Sequence, residues 1–272
     1  MLISRRTRLS LRAIALLYLL LLLLLPVAVV FIKTFEHGFS VAWGWMTTPA
    51  AISALWLSLV MAIIAVPLNT VFGVGAALIL VRRRGRMAAL LDALVDLPFL
   101  VSPVIVGLAL TLVYGIHGWV GTFFSDRGVR IIYAVPGMAL ATIFVSLPFV
   151  VREVAPVLAE VGDEQEQAAA TLGATSWQTF WRITLPSMRW GLAYGVILST
   201  ARALGEIGAV LVVSSLIAGS TLTLPLLVYQ RDSQLGSGSI TAAYAAATEL
   251  AVISLVVLLV MTALSPRRQE VS

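Results

Sequence analysis

Cysteine is absent from the 272 residues, histidine occurs only at His37 and His117, and Lys33 is the single lysine. Without cysteine there is no disulfide framework and no thiolate site. Two isolated histidines do not make a His/Cys metal site, so no metal is expected. Charge is also scarce, at 11% of residues, against about 25% in a soluble domain. What the sequence has instead is apolar surface: 60% hydrophobic residues and a mean hydropathy of +1.01. That balance excludes an aqueous globular domain and indicates a polytopic, all-α membrane protein. The sequence pI of about 10.1 is no sign of a nucleic-acid partner, because the arginines sort by membrane side.

A bilayer core of about 30 Å needs roughly 20 apolar residues as helix. Six windows satisfy this: Ala13–Ile32, Ala54–Val81, Leu97–Ile116, Ala134–Val151, Trp190–Ser214 and Ala242–Leu264. The second holds Pro67 and Asn69, which favour a tilt or kink. Arg5, Arg6, Arg8 and Arg12 precede the first window, and Arg82, Arg83, Arg84 and Arg86 follow the second. Arg152, Arg182 and Arg189 follow the fourth, and Arg267 and Arg268 the sixth. The opposite connections carry only Lys33, Arg127, Arg130 and Arg231. The positive-inside rule then places both termini in the cytoplasm. The first window is too long for a signal-peptide core and lacks a small-residue cleavage site, so it reads as a retained helix. The organisation is a segment 1–12, a membrane domain 13–264 with a long connection at about 160–188, and a tail 265–272.

That connection contains QAAATLGATSWQTFWRITLP, Gln167–Pro186. Asp163, Glu164 and Glu166 suit a helix N-terminus. Gly173 can break the helix or admit another backbone. Ser176 is suited to cap a second helix, Trp177–Thr184, on which Trp177, Phe180, Trp181 and Thr184 fall at i, i+3, i+4 and i+7. Pro186 should end it. The result is a helix–turn–helix lying against the membrane. It is either an amphipathic linker or a docking element.

The same stretch resembles the cytoplasmic loop of bacterial ABC-importer permeases, E-A-A-x-x-x-G-A followed by F-x-x-I/V-x-L-P. Gln167, Ala168, Ala169, Gly173, Ala174, Phe180, Ile183, Leu185 and Pro186 match it in spacing, with Gln167 in place of the glutamate and Glu166 just before it. The runs Ala93–Leu110, Ala201–Val213 and Ser220–Tyr229 resemble the sulfate/thiosulfate and molybdate permeases of that group. The resemblance implies a six-helix type I (MetI-like) permease fold with a cytoplasmic coupling helix, in the bacterial inner membrane. It implies that apolar and aromatic residues of the hairpin fill a groove on a separate ATPase. Two such ATPases, which use ATP and Mg, a second homologous permease, and a periplasmic or lipid-anchored binding protein are the implied partners, besides membrane lipid. The substrate implied is sulfate or thiosulfate, with molybdate or tungstate as the alternative. The chain has no G-x-x-x-x-G-K-[ST] loop of its own, so no cofactor is expected on it.

Polar residues inside the windows are the candidates for an anion path. Arg202 and Glu206 stand four apart on one predicted helix face. They form either an ion pair that locks the bundle or a donor on the path with its orienting carboxylate. Ser102 can donate to an oxyanion or to its own helix. Asp96-Leu97-Pro98 and Ser102-Pro103 are two expected helix breaks, with Asp96 read as an N-cap. Gly195, Gly205 and Gly208 offer close helix packing, where the fifth windows of two permeases would meet. Glu249 lies near a helix end, with no transport role assigned. A secondary transporter would use Glu206 for ion coupling but would not need the hairpin spacing, and a membrane enzyme lacks a catalytic constellation.

Overall fold

The computed structural model describes residues 5–83, 85–234 and 236–264, and all its regular structure there is helical. The tail 265–272 therefore lies outside the described residues, as do Arg84, Arg267 and Arg268. Helix α1 runs in contiguous pieces, Arg5–Leu19, Leu20–Leu24 and Leu25–Phe35. Next come α2 (Phe39–Met46), α3 (Pro49–Arg82), α4 (Arg86–Leu100), α5 (Pro103–Tyr114) and the single turn α6 (Gly121–Ser125). Helix α7 spans Val135–Val161 and α8 Glu164–Thr171. Helix α9 is again contiguous pieces, Ser176–Thr179, Phe180–Thr184 and Leu185–Ser187. The chain continues through α10 (Arg189–Leu204), α11 (Gly208–Val213), α12 (Leu224–Asp232) and α13 (Ser237–Leu264).

The middle pieces of α1 and α9 are π turns, and each stands two residues before a proline, Pro26 and Pro186. A proline ring clashes with the carbonyl four residues back and has no N–H to offer. Widening the preceding turn clears that carbonyl and lets the helix run on. The helix runs one residue past Pro186, to Ser187, so it ends within a residue of the proline, as the sequence suggests.

Helices α3, α7 and α10 form the centre of the bundle. Their approach rests on missing side chains: a Cβ on Gly73 would stand 2.7 Å from the Cβ of Val150, and one on Gly195 would stand 2.9 Å from the Cα of Val150. Gly195 is thus used within the chain rather than against a second permease. Asn69 is fully buried in α3; its amide nitrogen donates to Ser146 Oγ at 2.8 Å, while its Oδ1 has no hydrogen-bond partner among the described residues. One apolar cluster, including Met61, Met138, Val145 and Leu226, fills one end of the bundle. A second, including Val74, Ala77, Val150, Val154, Leu158 and Met188, fills the other.

Among the described residues, four helices are long and apolar enough to cross a membrane: Ile14–Phe35, Pro49–Arg82, Val135–Val161 and Gly238–Ala263. The pair α4 and α5, bent by 112°, makes a fifth if it counts as one span. Two of the six windows are not single helices, for two local reasons. The third window, Leu97–Ile116, breaks at Val101 and Ser102, whose backbone turns extended ahead of Pro103. The fifth, Trp190–Ser214, breaks between α10 and α11, leaving α10 with 16 residues. At 1.5 Å per residue that is about 24 Å, short of the hydrocarbon thickness. Pro98, the other expected break, lies buried inside α4 without interrupting it.

Candidate functional site

The hairpin α8–α9 is built by two local motifs. Gly173 adopts φ +84° with no neighbour of this chain within reach of an added Cβ, so within the chain it serves the turn. Its N–H donates to Ala170 O at 3.0 Å and that of Ala174 to Ala169 O at 3.0 Å. These are the paired bonds of a Schellman motif, which satisfy carbonyls left open at the end of α8. Thr175, not Ser176, caps α9. Its Oγ1 accepts from Gln178 N at 3.3 Å while Gln178 Oε1 accepts from Thr175 N at 3.0 Å, a capping box.

The motif residues divide between two faces. Phe180 and Leu185, both partly buried, pack on the cluster of Val74, Val154 and Met188. Ile183 is half-buried, and Thr184 is buried. Leu172, at 89% exposure, and Trp177, at 70%, stand free together with half-exposed Trp181. Gln167, Ala168 and Pro186 are also exposed. Trp177, Phe180 and Trp181 contact one another, with ring centroids 5.4–6.4 Å apart. The outward surface is therefore a compact aromatic patch on a rigid turn.

Glu166 turns inward. Its carboxylate forms a two-pronged pair with the Arg82 guanidinium at the end of α3, with Nη2 2.5 Å from Oε1, and Oε1 also accepts from Thr184 Oγ1 at 2.6 Å. The Arg82 hydrogen bonds hold this carboxyl below the usual carboxylate range, and Thr184 adds to the effect, against the opposing pull of partial burial. A cleft of about 400 Å³ lies between the hairpin and α3, lined in part by Leu78, Arg82, Glu166 and Phe180.

The second candidate region is where two helix breaks meet. A Cβ on Gly107 would stand 2.7 Å from Ala209 O, and one on Gly208 would stand 2.9 Å from the Cβ of Pro103. Half-helices α5 and α11 are thereby pressed together, and Gly208, like Gly195, is occupied within the chain. Gly205 has only Ala201 O near it, at 3.5 Å. Arg202 Nη1 lies 2.5 Å from Glu206 Oε2. Glu206 is not on the helix with Arg202, however, because α10 stops at Leu204. It sits buried in the break, where its Oε1 accepts from Ala209 N at 2.8 Å at the start of α11. One carboxylate thus joins the end of α10 to the beginning of α11. The Arg202 side chain keeps 29% exposure, and its guanidinium carries five N–H donors, more than one carboxylate oxygen takes up. Ser102 is exposed at the other break and makes no capping bond.

Three ionic groups escaped the sequence reading because their partners are distant in the chain. Asp96 does not cap a helix; it lies inside α4 and accepts from Arg152 of α7, at 2.9 Å from Nε and 2.6 Å from Nη2. Asp92 takes the same Nη2 at 2.8 Å. Their spacing, one turn apart on α4, was the available signal. Arg231 of α12 is buried and donates to Ala242 O at 3.0 Å and Thr48 Oγ1 at 2.9 Å, tying α12 to α13 and α3. Among the described residues no cluster of His, Cys, Asp and Glu can hold a metal.

Residues 69–270 match the family described as binding-protein-dependent transport system inner membrane component. The chain belongs to that family. It is 51% identical over 255 residues to the sulfate transport system permease protein CysW of Synechocystis sp., covering 94% of this chain and 91% of that protein. It is 44% identical over 233 residues to CysW of Escherichia coli K12, covering 85% and 80%. With the sulfate transport system permease protein CysT of Synechocystis sp. it shares 38% identity over 248 residues, covering 91% and 84%. A bacterial ABC transporter that imports the acidic polysaccharide alginate superposes with a TM-score of 0.79 at 19% identity, covering 98% of both chains. That likeness gives the fold, the MetI-like arrangement of ABC permeases.

Proposed function

We propose that this chain is a permease subunit of an ATP-driven importer of sulfate or thiosulfate, and that it performs no covalent chemistry itself. The observation that carries the reading is the identity of 44–51% to CysW proteins across 85–94% of the chain. The hairpin supports the mechanism. An exposed aromatic patch on a rigid turn, backed by residues packed into the bundle, is suited to receive a push from a separate ATPase. Two ATPase subunits would bind and hydrolyse ATP with Mg, and a second, homologous permease would complete the path. A periplasmic or lipid-anchored protein would deliver the anion.

In this reading the chain crosses the inner membrane six times with both termini in the cytoplasm. The third crossing would be the bent pair α4–α5 and the fifth the broken pair α10–α11. Non-helical backbone within a membrane is tolerated where it lines a protected cavity, so the meeting of the two breaks is a natural place for the anion to pass. Arg202 would attract the anion with the donors that Glu206 leaves unused, and exposed Ser102 would offer a hydroxyl. Closure of the ATPases on ATP would favour the outward-open state and their reopening the inward-open state.

The test is uptake of labelled sulfate, with labelled molybdate in parallel, by cells lacking the chain and by the same cells with it restored. Sulfate uptake lost and restored while molybdate uptake holds steady is the expected result. Loss of molybdate uptake alone would move the chain to the neighbouring substrate, and no change in either would refute the substrate assignment.

A further inference from the structure

Helix α8, the first arm of the hairpin, has no buried residue. Apolar burial, the usual anchor of a surface helix, is therefore missing in the arm that would take the push of an ATPase. The second arm is different, because Phe180, Leu185 and Met188 root it in the cluster shared with α3 and α7. Between the first arm and α3 lies the cleft of about 400 Å³, so packing does not bridge that gap either. What bridges it is Glu166. This one carboxylate takes the Arg82 fork from α3 and the Thr184 hydroxyl from α9, and joins three elements at one point.

The sequence adds a second, independent indication. The position that aligns with the glutamate of the family pattern is Gln167, and its side chain is exposed while Glu166 is turned inward. The acid one residue earlier faces the bundle and not a partner. A two-pronged Arg–carboxylate contact is directional as well as attractive, and neither lysine nor a neutral amide reproduces it.

We propose that Glu166 is a positioning residue for transport, clasping α8 to α3 through Arg82 and to α9 through Thr184, so that displacement of the hairpin is transmitted to α3. The clasp rests on the permease reading above. With the clasp open, the ATPases would still dock on the outward patch and turn over, but α8 would move without drawing α3 with it. The signature is uncoupling: ATP hydrolysis persists while import per ATP falls.

The experiment uses the whole complex, with its partner permease, ATPases and binding protein, in proteoliposomes. ATP hydrolysis and labelled sulfate uptake are measured on the same preparation, normalised to assembled complex. Glu166→Gln and Arg82→Glu should each lower sulfate imported per ATP by about tenfold, within the range of ordinary coupling between sites. The exchange Arg82→Glu with Glu166→Arg should recover much of that ratio, which loss of fold would not do. Thr184→Val keeps shape and removes one hydrogen bond, and should lower the ratio less. It also decides the matter if the charge variants fail to assemble. Unchanged ratios in Glu166→Gln, in Arg82→Glu or, failing their assembly, in Thr184→Val would overturn the proposal. So would an exchange variant no better than the single ones. Failure of the permease reading shows differently, as absence of ATP-driven anion uptake by the unmodified complex.

Discussion

Gly208 of α11 rests on Pro103 of α5 so closely that a Cβ on the glycine would stand 2.9 Å from the proline Cβ. The two residues belong to the two interrupted helices, so this contact brings both breaks to one place. Gly208→Val should therefore overpack the junction and destabilise the protein by about 1–3 kcal/mol, read as a lower unfolding temperature in detergent. Gly205→Ala, where only Ala201 O is near, should leave that temperature close to the original. Equal behaviour of the two variants would contradict the packing described.

Gly173 is held at φ +84°. A side chain there costs roughly 1–2 kcal/mol in the left-handed region. Gly173→Val should loosen the hairpin turn and abolish sulfate uptake, while the complex still assembles in the membrane. Quantifying assembled complex and uptake together checks both halves of the expectation.

The ionic clasp carries a pH dependence whose sign follows from Glu166. Its carboxyl is held below the ordinary value, which is about 4.3. A depressed acid contributes stability that is fully present above the ordinary value and is lost as pH falls through the lower, folded one. Amide protection in α8 should thus be constant from neutral pH down to about 5 and fall below about 4. Hydrogen exchange on the peptide covering Glu164–Thr171 measures this, and Glu166→Gln should remove the acid-side loss.

Arg231 and Arg152 make a contrasting pair. Arg231 is buried, and removing it takes away charged hydrogen bonds to the Ala242 carbonyl and to the Thr48 hydroxyl, which keeps its bond to Trp45 O. Arg231→Ala should cost about 2 kcal/mol or more, and lysine should rescue poorly because it lacks the planar fork. Arg152 meets Asp92 and Asp96 with all three side chains between 37% and 51% exposed. Arg152→Ala should cost no more than about 1 kcal/mol per pair. Thermal unfolding of both variants in one detergent makes the comparison.

The legible parts of the fold are those set by local chemistry. Ser102-Pro103 predicts its break because proline restricts the residue before it, and Gly173 predicts its turn from the freedom of a residue without Cβ. Helix type and the hairpin were readable for the same reason. Long-range pairing was not. Asp96 reads as a cap until Arg152 arrives from 56 positions away, and Glu166 reads as a helix-start acid until Arg82 arrives from 84 positions away. Pro98 and Pro186 look alike in the sequence as helix breakers, and each sits in the last turn of its helix, which ends at Leu100 and Ser187 respectively. At Pro186 the preceding π turn, Phe180–Thr184, makes the room. Arg202 and Glu206 do meet, but not on one helix face: Glu206 lies in the break, where it also accepts from Ala209 N of the next helix.

The most direct test of the account is the energy source of transport. Proteoliposomes carrying the complete complex are given labelled sulfate and the binding protein, with ATP supplied or withheld and with a proton gradient imposed or collapsed. The account predicts sulfate accumulation that requires ATP and is indifferent to the gradient. Accumulation that follows the proton gradient and ignores ATP would contradict it.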